Sequence, residues 1–207
     1  MPYIQSTVST DAVEAIASQQ VAEHHWFQLY VLKDRTVTED LLQRAKKRDA
    51  APLVISVDAV HFGNRERDQR HYRQPMKLSW QSYLHAATKP SWVWRVIRPQ
   101  GIPGFGNLVP YLPENIKVAL GARCILASRW RSIWIGQQWL GFGPCGRALF
   151  LSKGILCPAD AQQAINAGFQ GVILSNHGGR QLDGTVSPMT MLLRSASGVR
   201  TGCYGTD

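Results

Sequence analysis

The sequence predicts an α/β protein built on a parallel β-sheet, and three observations carry that prediction. Short apolar runs alternate with segments whose apolar residues recur at helical spacing, in two separate regions of the chain. Those runs show no polar alternation, as suits strands covered on both faces. Strand–helix–strand connections are right-handed crossovers, which make the sheet parallel throughout.

In chain order, "IQSTVSTDAVEAIASQ" (residues 4–19) supplies a short strand and a helix. The run "WFQLYVLKDR" (26–35) is the second strand, followed by "TEDLLQRAKKRDA" (38–50). Here Thr38 is expected to cap a helix whose inward stripe is Leu41, Leu42 and Ala45. "APLVISVDAV" (51–60) is the third strand, and a long interruption separates it from "ALFLSKGIL" (148–156). "CPADAQQAINAGFQ" (157–170) places Ala161, Ala164 and Ile165 at helical spacing and stops at Gly168, a residue suited to the position just past a helix end. "GVIL" (171–174) is the next strand.

Period two along each strand end puts Gln28 with Tyr30, Ser56 with Asp58, and Ser175 with His177 on common faces. Buried polar groups are costly unless partnered, so polar pairs recurring at the same end of several apolar strands suggest a bound polar ligand. The stretch "SNHGGR" adds His177, two glycines that admit a close approach, and Arg180, while Lys153 ends the preceding strand. Together they point to an anion site.

Composition bounds the alternatives. With 207 residues, 44% of them hydrophobic, the chain can bury one real core. No apolar stretch reaches the length of a spanning helix and the start lacks a secretory pattern, so a cytoplasmic location is expected, with the inner membrane face as a peripheral alternative. Cys124, Cys145, Cys157 and Cys203 show no metal-ligand spacing and read as reduced thiols; no metal is expected. The net charge of +9 raises a nucleic-acid hypothesis, but the basic residues are dispersed and no recognition motif occurs, so nucleic acid is disfavoured as a partner. Between Glu114 and Asp160 there is no acidic residue, while Lys117, Arg123, Arg129, Arg131, Arg147 and Lys153 are basic.

"SNHGGRQLDG", "KGIL", "FQLYVLKDR" and "SVDAVHFGNRERDQR" together resemble the FMN-dependent α-hydroxy-acid dehydrogenase and oxidase family, which contains glycolate oxidase, lactate dehydrogenase and mandelate dehydrogenase. "KPSWVWRVIRPQGIPGFGNLVPYLP" (89–113) resembles the linker of its lactate-dehydrogenase-like members. The resemblance implies a (β/α)₈ barrel of which this chain carries about strands 2 to 6, with FMN at the carboxyl pole. It implies one incomplete barrel domain over 1–207: residues 1–75 and 148–189 form the family-like core, and 76–113 a linker loop. Residues 121–147 and 190–207 do not resemble the family and are expected to be read out of frame.

Residue by residue, the resemblance implies that His177 is the base that takes a proton from the hydroxy acid and that Asp58 orients it. Arg65 and Arg180 would hold the substrate carboxylate, and Tyr30 would hydrogen-bond the substrate oxygen. Lys153 would stand beside the flavin ring, and Ser6, Gln28 and Ser56 would bond its edge. The implied activity is FMN-dependent oxidation of a small L-2-hydroxy acid, lactate preferred, to the 2-oxo acid, with an unspecified electron acceptor and a homo-oligomeric state as a further expectation. The family's seventh and eighth strands, with their phosphate-gripping loops, have no counterpart in this sequence. The alternatives are therefore an inactive remnant unable to hold FMN and, from a different class, a basic nucleic-acid-binding module.

Overall fold

A computed structural model of the chain describes residues 2–19, 24–48, 52–59, 72–74, 77–78, 80–98, 101, 104–112, 149–192 and 203–205. The chain divides into two compact units, one of Met1–Thr7, Val13–Gly63 and Trp130–Asp207, the other of Val8–Ala12 and Asn64–Arg129.

The first unit is a parallel sheet with helical crossovers. Its elements run β1 (Tyr3–Ser6), α1 (Val13–Ala17), β2 (His25–Tyr30), α2 (Arg35–Lys47) and β3 (Leu53–Ser56). After the second unit, β6 (Phe150–Ile155), α4 (Pro158–Asn166), β7 (Gly171–Leu174) and β8 (Cys203–Gly205) complete it. The sheet order is β1-β2-β3-β6-β7-β8, every pair parallel, so spatial order follows chain order. Five strands fall where the sequence predicts them; the sixth, β8, pairs beside β7 from within the tail expected to be unlike the family. The stretch 121–147 lies outside the described residues.

Register assigns each strand residue to a face. On one face Val54, Leu151 and Ile173 form a buried cluster, with Ile4 and Trp26 packed against it. Two residues further along the same strands, on the same face, stand Ser6, Gln28, Ser56, Lys153 and Ser175. An apolar layer is thus followed by a polar layer at the carboxyl ends. The opposite face carries Phe27, Leu29, Leu53, Ile55, Val172 and Leu174, all nearly inaccessible, as expected beneath the crossover helices.

Helix α2 starts earlier than the sequence suggests. Asp34, not Thr38, is its N-cap: the Asp34 carboxylate accepts from the Thr36 N–H at 3.0 Å. Thr38 is fully buried one turn in, where its hydroxyl accepts from the Leu32 N–H and donates to the Asp34 carbonyl. Both residues are good caps, and the upstream one wins because Val37 already belongs to the buried stripe with Leu41, Leu42 and Ala45. Helix α4 ends as predicted, with Gly168 at φ +94° just past it.

In the second unit, β4 (Tyr72–Gln74) and β5 (Lys77–Leu78) form an antiparallel pair. Helix α3 (Trp80–Ala87) follows, then a helical segment from Pro90 that widens into a π-turn over Val93–Ile97.

Candidate active site

The polar layer gathers into two connected groups. The first crosses β1, β2 and β3: Ser6 donates to the Gln28 Oε1 at 3.0 Å, and the Gln28 Nε2 donates to the Ser56 Oγ at 3.0 Å. Thr7 braces it from behind, its hydroxyl donating to the Gln28 carbonyl at 2.7 Å and accepting from the Tyr30 N–H at 3.1 Å. The amide of Gln28 is held by both neighbours, and the Ser56 hydroxyl proton meets no acceptor among the described residues.

The second group joins β3, β6 and the segment after β7. Asp58 Oδ2 lies 2.9 Å from His177 Nδ1 and 4.0 Å from Lys153 Nζ. Lys153 Nζ donates to Ser175 Oγ at 2.7 Å, and the same oxygen accepts the His177 backbone N–H at 3.0 Å. Ser175 therefore ties the ammonium to the turn that carries the imidazole. That turn is a single 3₁₀ element, His177–Gly179, in which His177, Gly178 and Gly179 all have positive φ (60°, 61° and 68°). His177 is the one non-glycine residue with positive φ among those described.

The Asp58 carboxylate fixes the chemistry of its neighbour. Because it can only accept, His177 Nδ1 carries the proton in the contact and Nε2 is left as the imidazole's acceptor. The Asp58 side chain is 9% exposed, and its second oxygen, Oδ1, is buried with no hydrogen-bond partner in the described structure. A buried acceptor left open at the end of a polar layer fits a site completed by a polar ligand.

Of the residues singled out in the sequence, Ser6, Gln28, Ser56, Asp58, Lys153 and His177 are thus brought together. Tyr30 belongs to the same face, directly opposite Ser56 in register, and is almost buried. Arg180 follows the His177 turn but is exposed, and its guanidinium makes no hydrogen bond or ion pair with a described residue. Arg65 lies outside the described residues.

Sequence reasoning assigns no role to two participants. Ser175 was visible only as a polar residue on the face of His177; its double acceptor role needs the three-dimensional position of Lys153. Gly154 interrupts β6 with a register shift and φ +103°, and an isolated glycine in a strand pattern is the available signal for such a bulge.

Parallel strands joined by helices, with a carboxylate, an imidazole and an ammonium at their carboxyl ends, are the arrangement of β/α-barrel enzymes. The family model described as FMN-dependent dehydrogenase matches residues 1–203, and the chain belongs to that family. It is 36% identical over 197 residues to an L-lactate dehydrogenase of Caulobacter sp. (strain K31), covering 90% of this chain and 49% of that protein. Among solved structures, it resembles the monotopic membrane protein (S)-mandelate dehydrogenase with a TM-score of 0.86 at 28% identity, over 99% of this chain and 54% of the other. A mandelate oxidase gives a TM-score of 0.68 at 28% identity, over 99% and 49%. The chain therefore spans about half the length of these relatives and carries part of a (β/α)₈ barrel.

The family is FMN-dependent. The groups that could hold a flavin ring here are the Ser6–Gln28–Ser56 ladder and the Lys153 ammonium, which offer donors and a positive charge along one pole of the sheet.

Proposed function

We propose that this chain carries the base and flavin-edge half of a site that oxidises a small L-2-hydroxy acid to the 2-oxo acid. The observation that carries the reading is the 2.9 Å contact between Asp58 Oδ2 and His177 Nδ1 beside Lys153. FMN, when bound, supplies the redox chemistry by accepting the two electrons that leave the substrate. His177 Nε2 takes the proton released from the hydroxy acid, while Asp58 holds the ring's orientation and balances the imidazolium that results. Arg180, exposed and uncommitted, holds the substrate carboxylate together with Arg65, and Tyr30 hydrogen-bonds the substrate oxygen. Lys153 balances negative charge that develops at the pole.

Lactate is the preferred substrate in this reading. The segment 89–113 resembles the linker of lactate-dehydrogenase-like members, and the 36% identity to an L-lactate dehydrogenase favours the same substrate. The test is the visible absorbance of the protein with the rest of its barrel supplied, since the 207-residue chain alone is expected to bind FMN weakly. A yellow chain that bleaches on anaerobic L-lactate, and not on D-lactate or L-mandelate, fits the reading. A colourless chain that gains no flavin spectrum with excess FMN would instead mark a remnant that cannot hold the cofactor.

A second reading concerns location. Among the described residues no helix is long and apolar enough to cross a membrane. In the second unit, however, Trp80, Tyr83, Leu84, Trp92 and Trp94 are all largely exposed, between 47% and 64%. Lys89, Arg95 and Arg98 are interspersed with them, the Arg98 guanidinium 3.9 Å from the Trp94 ring, and no acidic residue occurs from 80 to 98. Exposed aromatics and cations without acids suit the headgroup layer of an anionic membrane, and a monotopic relative favours peripheral attachment. The chain should cosediment with phosphatidylglycerol-containing vesicles, and Trp92→Ser with Trp94→Ser should abolish it; equal cosedimentation of the double variant would refute the surface.

A further inference from the structure

Gly154 sits at a bulge in β6. Lys153 pairs with Ile173 and Ile155 with Leu174, so Gly154 is the extra residue, and it takes φ +103°. A side chain built on Gly154 would not point into open space. Its Cβ would fall 2.6 Å from Asp58 Cγ and 2.9 Å from the Asp58 backbone nitrogen, with Asp58 Cβ nearer still. A side chain here would collide with Asp58 at its Cβ, its Cγ and its backbone nitrogen.

We propose that Gly154 is a positioning residue for the Asp58–His177 pair: the bulge and its missing side chain admit Asp58 to the place where one carboxylate oxygen meets both His177 and Lys153. This rests on the reading of that pair as the reactive one. The bulge does two things at once. It interrupts the strand just after Lys153, whose ammonium lies 4.0 Å from Asp58 Oδ2. It also opens the wall against which Asp58 is packed, and the carboxyl is buried there with Oδ1 unpartnered. Any residue with a Cβ must push Asp58 away from His177 or straighten the strand, and either movement breaks the 2.9 Å contact.

The fold contains its own control. Gly168 also has a positive φ, +94°, but a Cβ there meets nothing within 4 Å. Gly154→Ala and Gly168→Ala therefore both place an alanine at positive φ, and only the first adds a collision with Asp58. The readout is the ¹H–¹⁵N signal of the His177 Nδ1 proton in the full 207-residue chain, whose slow exchange reports the bond to Asp58 without requiring turnover. Asp58→Ala, which removes the acceptor, supplies the spectrum of the broken contact. The proposal expects Gly154→Ala to lose the protected signal and to resemble Asp58→Ala, while Gly168→Ala keeps it; retention of the signal in Gly154→Ala would overturn it. If Gly154→Ala does not fold, Gly154→Ala combined with Asp58→Gly decides. Recovery of a cooperative thermal transition in the double variant supports the collision with the Asp58 side chain, and failure to recover overturns the proposal, because removing that side chain then does not admit a Cβ at this position. Loss of the signal in Gly154→Ala, with turnover of the intact enzyme indifferent to Asp58→Ala, would refute the functional reading and leave the positioning role standing.

Discussion

His177 is held in a conformation that a histidine seldom adopts, with φ 60° at the start of a turn whose next two residues are glycines. A left-handed non-glycine residue costs on the order of 1–3 kcal/mol and persists only where its surroundings over-determine it. Here they do: the Ser175 hydroxyl accepts its N–H, and Asp58 accepts its ring proton. In the intact enzyme His177→Gln is expected to lower turnover by about 10²–10⁴-fold, the range for losing a general base, with flavin absorbance retained. Near-normal turnover would remove His177 from the chemistry. Arg180→Lys should raise KM for the hydroxy acid more than it lowers kcat, because one ammonium cannot reproduce the two-pronged grip of a guanidinium on a carboxylate. An unchanged KM would count against that role. Much of this site could be read from the sequence, since period two and a shared strand end already place Ser56, Asp58, Ser175 and His177 on one pole. What could not be read were distances: 119 residues separate Asp58 from His177, and only the parallel pairing of β3 with β6 and β6 with β7 brings them to 2.9 Å. The left-handed turn was equally hidden, because nothing in "SNHGG" says that the positive φ begins at the histidine.

At the scale of elements, the same periodicity located five strands and three helices but misjudged where α2 begins. Polar residues at a helix start compete for the cap, and the winner is decided by which following residues are buried, a tertiary fact. Asp34→Ala should therefore destabilise the chain by about 1 kcal/mol, the usual worth of an N-cap. Thr38→Val should cost stability as well, by leaving the buried Leu32 N–H without its acceptor. Equal denaturant midpoints for wild type and Asp34→Ala would contradict the assigned cap. Two further contacts give the sheet unit a pH dependence with separable windows. Glu14 on α1 receives two hydrogen bonds from Arg44 on α2, at 2.7 and 2.9 Å, and they hold its carboxyl below the ordinary range against the opposing effect of burial. A lowered acid pKa contributes stability above the unfolded value, lost as pH falls through the folded one. His25, buried on β2 with Nε2 donating to Gln5 Oε1, has its pKa lowered by desolvation. Its unfolded form takes up a proton first, so stability falls as pH drops below the ordinary histidine range. Urea midpoints should decline in two stages on acidification. The upper stage should vanish in His25→Gln and the lower in Glu14→Gln; a profile unchanged by both would exclude these groups as its source.

For the whole molecule the decisive feature is the pair of sheet ends. Among the described residues β1 and β8 each have a neighbour on one side only, whereas a closed β/α barrel has no edge strand. The apolar layer of Ile4, Trp26, Val54, Leu151 and Ile173 belongs to the face that fills a closed barrel's interior, and Ile4 and Trp26 are only partly buried in it. A sheet with an edge strand at each end and a partly buried apolar layer gains by pairing with further strands. The 207-residue chain on its own is expected to self-associate and to bind FMN weakly, because the candidate partners of a flavin ring lie on a sheet that, among the described residues, is not closed into a barrel. Sedimentation velocity combined with titration of flavin fluorescence tests both parts. Concentration-dependent oligomers with little quenching of FMN are the expected result. A monomer that quenches one equivalent of FMN would show that these strands close a working site without the rest of the barrel.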